Sequence, residues 1–294
     1  MEVFFYVQKM IKSLFSKVSF VTKIGLIFVT AFSGLLLSSV AVVLFANSAD
    51  NIQFVKLLQM VQTTCTFVLP AFFLAYFLGG GVTYLKFKPI RSFRIWVVLF
   101  LVMPMAIPAV NLFKSLNDLV VLPDFLHSVE VWMQQMETQS QLITEQFLSV
   151  STITGLIFNL LVMAVMPAFG EEIFFRGILQ TTLGEKLNRH YAIWITAFIF
   201  SAIHLQFYGF LPRFMLGGML GYLFVLTGSI WAPILAHFVN NALAIVLFFL
   251  SFNGYLQFDI DTIGTHETWW LGIVSVAFVF LLFHRLKRVK AQHL

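Results

Sequence analysis

Apolar runs long enough to cross a hydrocarbon core of ~30 Å, which takes about 20 residues, recur along this chain and constrain it before anything else does. The first runs from Ile24 to Ala46. The second, Val61 to Gly81, carries Pro70 and is expected to kink there. The third, Ile95 to Phe113, contains Pro104 and Pro108, which membrane helices tolerate when neighbours satisfy the freed carbonyls. A polar stretch, about 114–146, follows. A long apolar helix then runs from near Phe147 into the 180s. Tyr191–Gln206, Arg213–Thr227, Trp231–Leu250 and Trp269–His284 complete eight spans. The expected fold class is all-α: a polytopic membrane helix bundle of about eight transmembrane helices.

Composition excludes the alternatives. Of 294 residues, 60% are hydrophobic and 11% charged, and the mean hydropathy is +0.91; a soluble domain of this size needs more charge to cover its surface. The lone Cys65 excludes an intrachain disulfide framework and a zinc site built on several cysteines. The net charge of +5 punctuates apolar spans, so it reads as a topology signal, with the lipid bilayer as partner and no nucleic acid.

Loop charges order the spans. Lys9, Lys12, Lys17 and Lys23; Lys86, Lys88, Arg91 and Arg94; Lys186 and Arg189; and Arg285, Lys287, Arg288 and Lys290 fall on one side. The opposite loops carry Asp50; Asp118, Asp124, Glu130, Glu137 and Glu145; and Asp259, Asp261 and Glu267. The positive-inside rule then puts both termini in the cytoplasm. The N-terminus does not read as a cleavable signal peptide, because its lysines are spread out and the first apolar run spans fully. Segment 1–23 reads equally as a surface-lying amphipathic stretch or as a basic tail. No composition break marks a soluble domain. Within one membrane domain, 1–146 holds N-terminal helices and an outer loop, 147–250 a catalytic helix core, and 251–294 a C-terminal helix and basic tail.

Ionisable groups inside membrane helices are expensive and mark function by default. Glu172 and Arg176, at i and i+4, share a helix face and can pair. Glu171 points about 100° away and stays free. Alternatively, both glutamates cap a solvated helix end. Depth argues for the first reading: Glu171 lies 17 residues before Asn188, the expected turn, and His204 lies 16 after it. In an antiparallel pair the two stand level. His237 and Asn241 are again i and i+4, with Asn240 beside them, and can serve either as helix–helix hydrogen bonds or as donors to an oxyanion. Gly217-x-x-x-Gly221 reads as a close-approach scaffold. The sequence has no Gly-x-Ser-x-Gly, Walker loop, dinucleotide fingerprint or His-Glu-x-x-His.

Glu171-Glu172-x-x-x-Arg176, Phe200-x-x-x-His204 and His237-x-x-x-Asn241, in that order on separate spans, resemble the CPBP family of CAAX-protease and bacteriocin-processing membrane proteins, which includes Rce1-type endopeptidases. The resemblance covers roughly 150–250. It implies an intramembrane endopeptidase acting on a membrane-associated protein or peptide in a bacterial inner membrane. Glu171 is then the base that activates water, His204 the group that holds it, and His237 and Asn241 the oxyanion donors. Glu172, Arg176, Phe200 and Asn240 support them. The family has also been described as metalloproteases, and zinc on Glu171, His204 and His237 is the alternative to a metal-free site. A catalytically silent scaffold or immunity factor of the same fold, or a small-solute transporter, are the competing functions.

Overall fold

The computed structural model describes residues 18–45, 51–78, 81–257 and 262–291. Lys9, Lys12, Lys17, Asp50, Asp259 and Asp261, and most of the 1–23 segment, lie outside them. The described residues form helices and turns without a strand. The long helices are α1 (Phe20–Leu44), α2 (Ile52–Phe77), α3 (Phe93–Asp118), α4 (His127–Leu148), α5 (Ile153–Leu183), α6 (Arg189–Ala202), α7 (Phe210–Thr227), α8 (Trp231–Phe252) and α9 (Trp269–Ala291). Among the described residues, seven helices are long and apolar enough to span a membrane. Large side chains such as Phe32, Leu37, Phe100 and Phe280 stay exposed on them, as suits a surface solvated by lipid tails rather than water.

Three expectations need correction. The fifth span, expected over Tyr191–Gln206, is a helix of 14 residues, about 21 Å long and too short to span by itself. The turn 203–209 makes up the distance and reaches the far end of α3, where Asn117 donates to the Phe207 carbonyl at 2.9 Å and accepts from Leu211 N–H at 2.9 Å. The polar stretch 114–146 is not a loop: Lys114–Asp118 extend α3, and α4 is a largely exposed helix with a polar composition. The second span starts at Ile52, nine residues before the expected Val61. Lys56, ahead of the expected span, is fully buried within the helix, and its ammonium donates to Phe147 O at 2.8 Å and Asn159 Oδ1 at 2.7 Å.

Pro70 and Pro108 each sit beside a change in the regular helical ladder. In α2 a π turn, Thr64–Val68, precedes Pro70. In α3, beside Pro108, the Ser275 hydroxyl of α9 enters the backbone ladder. It accepts the Ala109 N–H at 3.3 Å and donates to Met105 O at 2.5 Å. A hydroxyl with both donor and acceptor capacity can bridge such a break.

The basic loops share a face. Lys23 pairs with Glu185 at 2.6 Å, Ile230 N–H donates to Lys86 O at 3.1 Å, and Leu286, amid the last basic residues, packs with Val98 and Leu99 near the start of α3. Two buried clusters flank the centre. One joins α1, α2 and α5 through Ile27, Leu74, Ile173 and Phe175. The other joins α3, α7 and α8 through Leu99, Met103, Leu220 and Ala236.

Candidate active site

The three motifs meet between these clusters. α5 winds into a π-helix over Ile173–Gln180, every residue of which is buried, and π segments favour functional sites. Across this segment the Glu172–Arg176 pair forms as the i, i+4 spacing predicts, with Oε1 and Nη1 2.7 Å apart and both side chains fully buried. The same Glu172 oxygen lies 2.9 Å from His237 Nδ1 on α8. Arg176 also donates to the Gly217 carbonyl at 3.0 Å, and its guanidinium covers the Phe200 ring at 4.8 Å. One buried ion pair therefore touches α6, α7 and α8 from α5.

Why α7 comes so close is legible in its glycines. A Cβ on Gly217 would stand 3.1 Å from Ala197 backbone, and one on Gly221 2.8 Å from Gln180. Without those atoms the α7 carbonyls reach α5 side chains: Gly217 O takes Arg176, and Gly221 O takes the Gln180 amide at 3.2 Å. The Gly-x-x-x-Gly pair is scaffold, as expected, and also supplies acceptors.

α5 and α6 meet at equal counts from the turn one helical turn below Glu171 and His204. Asn188 caps α6, accepting from His190 and Tyr191 N–H at 2.9 and 3.1 Å. Arg176 and Phe200, each 12 residues from that cap, stack directly. His204 lies just past the helix rather than within it. Its Nδ1 is 2.7 Å from Phe200 O, and its ring sits 5.2 Å from the Phe200 ring, which lies 6.0 Å from His237.

These contacts assign the imidazole protons. A backbone carbonyl can only accept, so His204 Nδ1 carries a proton. Glu172 Oε1, which already accepts from Arg176, has His237 Nδ1 as its second neighbour, and an acceptor there calls for a donor on the ring. With Nδ1 engaged in each ring, Nε2 is the nitrogen left for a water or substrate. Either ring donates from Nε2 only after taking up a proton.

Asn241 donates to Met163 O at 3.2 Å. Pro167 cannot serve that carbonyl, four residues before it on α5, so the amide of α8 does. Asn240 donates to Asn241 Oδ1 at 3.1 Å. Each amide thus keeps one N–H.

Glu171, His204, Asn240 and Asn241 are half-buried, while Glu172, Arg176, Phe200 and His237 are buried. Glu171 interacts through space with His237, Glu172, Arg176 and Arg213. Arg213, noted in the sequence only as the start of a span, is a charge within the site that span-by-span reading missed. Beside Asn240 a cleft of ≈ 720 Å³ opens between α3 and α8, lined by Met103, Ile107, Val110, Leu243 and Leu247. Among the described residues, no three His, Cys, Asp or Glu side chains gather in a way that would hold a metal ion. The set Glu171, His204 and His237 does not assemble as the three-ligand site of a catalytic zinc.

Comparison with known proteins agrees with the motif reading. Residues 153–243 match the family model of type II CAAX prenyl endopeptidase Rce1-like proteins, and all three motifs lie within them. The chain is 29% identical over 132 residues to the uncharacterized protein YpbD of Bacillus subtilis, covering 44% of this chain and 62% of that one. It is 30% identical over 98 residues to the putative membrane peptidase YdiL of the same organism, covering 33% of this chain and 40% of that one. The matches thus span less than two thirds of either curated relative. No solved structure matches the chain. The resemblance to CAAX-type membrane proteases holds over the motif-bearing helices.

Proposed function

We propose that the chain is an integral membrane endopeptidase that hydrolyses a peptide bond in a membrane-associated protein or peptide. One observation carries the reading: Glu172 Oε1 joins Arg176 and His237 at 2.7 and 2.9 Å, tying the first motif to the third and leaving Glu171 beside them with no role in that clamp.

A water held between Glu171 and the outward Nε2 of His204 gives its proton to Glu171. Its oxygen bonds to the peptide carbonyl carbon, and the carbonyl electron pair moves onto oxygen. The unused N–H groups of Asn240 and Asn241 stabilise that oxyanion. His237, once protonated at Nε2, adds a further donor, its charge supported through Nδ1 by Glu172 in the way a triad carboxylate supports its histidine. Collapse breaks the C–N bond, and the proton on Glu171 passes to the leaving amine. The clamp of Glu172 and Arg176 positions and takes no proton. The sidedness of the basic loops supports cytoplasmic termini in a bacterial inner membrane.

The test uses the full chain, purified in lipid nanodiscs and given a library of internally quenched peptides, with products read by mass spectrometry. Cleavage at a defined bond, lost in a folded Glu171→Gln variant, is expected. A folded wild-type chain that cleaves nothing favours the catalytically silent scaffold.

A further inference from the structure

Arg213 differs from Arg176 in one respect that its surroundings make specific. Arg176 is neutralised at contact by Glu172. Among the described residues no ion pair reaches Arg213. Its hydrogen bonds go to a neutral partner, Gln206: Nη2 donates to Oε1 at 2.6 Å and Nη1 to the backbone oxygen at 3.3 Å. Two of five N–H groups are used, which leaves three in the planar fork that suits a carboxylate.

The fork is aimed. The Gln206 amide donates onward to Ser140 of α4, and Asn117 fixes the same turn through Phe207 and Leu211. At Gly209 a Cβ would stand 3.0 Å from Arg213 Nη2, so that residue leaves the guanidinium its room. Arg213 is half-buried in the first turn of α7 and acts through space on Glu171 and His204. A half-buried guanidinium without a contact counter-ion is costly in an apolar span. The cost is offset when an anionic ligand arrives.

Resting on the peptidase reading, we infer that Arg213 is a specificity-determining residue that receives a carboxylate of the peptide substrate close to the cleaved bond. The carboxylate is either the peptide's C-terminus or an Asp or Glu side chain. Glu137 of α4 also acts on Arg213 through space. One of its carboxylate oxygens is enclosed without a hydrogen-bond partner among the described residues, which makes it the resident competitor for the same cation.

The experiment takes a peptide that wild type cleaves in the library assay and compares it with its C-terminal amide and with its Asp/Glu→Asn/Gln form. One neutral form is expected to lose about tenfold in kcat/KM, mainly through KM, as befits a charged hydrogen bond; which form loses identifies the source. Arg213→Gln should cleave acid and neutral forms alike, and Glu137→Gln should lower KM for the acid form. Equal kcat/KM of all forms in wild type overturns the inference and leaves the peptidase reading standing. So does an Arg213→Gln that slows every form equally, which marks a positioning role. Cleavage of no peptide removes both readings. The wild-type comparison needs no variant, so a poorly folding Arg213→Gln does not shield the inference.

Discussion

His237 Nδ1 lies 2.9 Å from Glu172 Oε1, so of two adjacent glutamates it is the second that binds the histidine and the first that stays uncommitted. Substitutions at the two positions should therefore fail differently. Glu171→Gln should fold with wild-type yield and lose at least about 100-fold in turnover, the low end for general-base catalysis. Glu172→Gln leaves Arg176 buried beside a neutral amide. It should cost on the order of 3 kcal/mol of stability, because breaking a buried pair strands a charge. Thermal unfolding and single-turnover cleavage, measured on the same samples, separate them. Wild-type activity in folded Glu171→Gln would remove it as the base.

Asn241 is asked to do two things, and two variants divide them. Asn241→Asp keeps an oxygen but presents no N–H to Met163 O or to an oxyanion, and it sets two acceptors against each other. Asn241→Ala leaves the carbonyl beside Pro167 without its outside donor, at about 1–3 kcal/mol for an unsatisfied buried group. Both should cut turnover by about 100-fold or more, the effect of removing one oxyanion donor. If turnover per folded molecule is unchanged in Asn241→Ala, the asparagine is only a helix–helix tie.

Topology gives a prediction independent of chemistry. A cysteine placed in the 119–126 turn of a Cys65→Ser chain should react with an impermeant thiol reagent from outside intact cells. One placed in the 87–91 loop should react only after lysis. The opposite pattern reverses the orientation drawn from the basic loops.

Metal dependence is checked on the same preparation. Catalytic zinc needs three protein ligands around an open position, and no such cluster gathers among the described residues. Prolonged dialysis against a strong chelator should leave cleavage essentially intact, with well under one zinc per chain by elemental analysis. Activity lost on dialysis and restored by stoichiometric zinc alone would recast Glu171 and both histidines as ligands.

What was legible in the sequence was local. Apolar length located the spans, the i, i+4 spacing located the Glu172–Arg176 pair, and equal counts from Asn188 matched α5 to α6. What was not legible depends on partners distant in sequence. Lys56 lies inside a span because two oxygens, 91 and 103 residues away, hold its ammonium; a hydropathy window sees only a charge. α4 carries too many Gln and Glu residues to register as apolar, yet α-helix needs no apolar run. The imidazole protons are set by Phe200 O and Glu172, and the second of these is a contact across 65 residues. Arg213 marked only the start of a span, because its electrostatic reach to Glu171 and His204 follows from the fold of the 203–209 turn.

The π-helix of α5 carries a consequence for how this chain tolerates change. Such a segment is an α-helix holding surplus residues, and Ile173–Gln180 keeps that surplus between Glu172 and Gln180. Deleting one residue there would let the helix relax to ordinary winding with the helix after it nearly in place, because only the surplus is removed. Deleting one from the ordinary helix before this segment would instead swing everything after it by about 100°. Gln180 would then leave Gly221, and the turn at Asn188 would no longer deliver α6 against Arg176. These eight residues are thus the place in α5 where a lost residue disturbs the three motifs least.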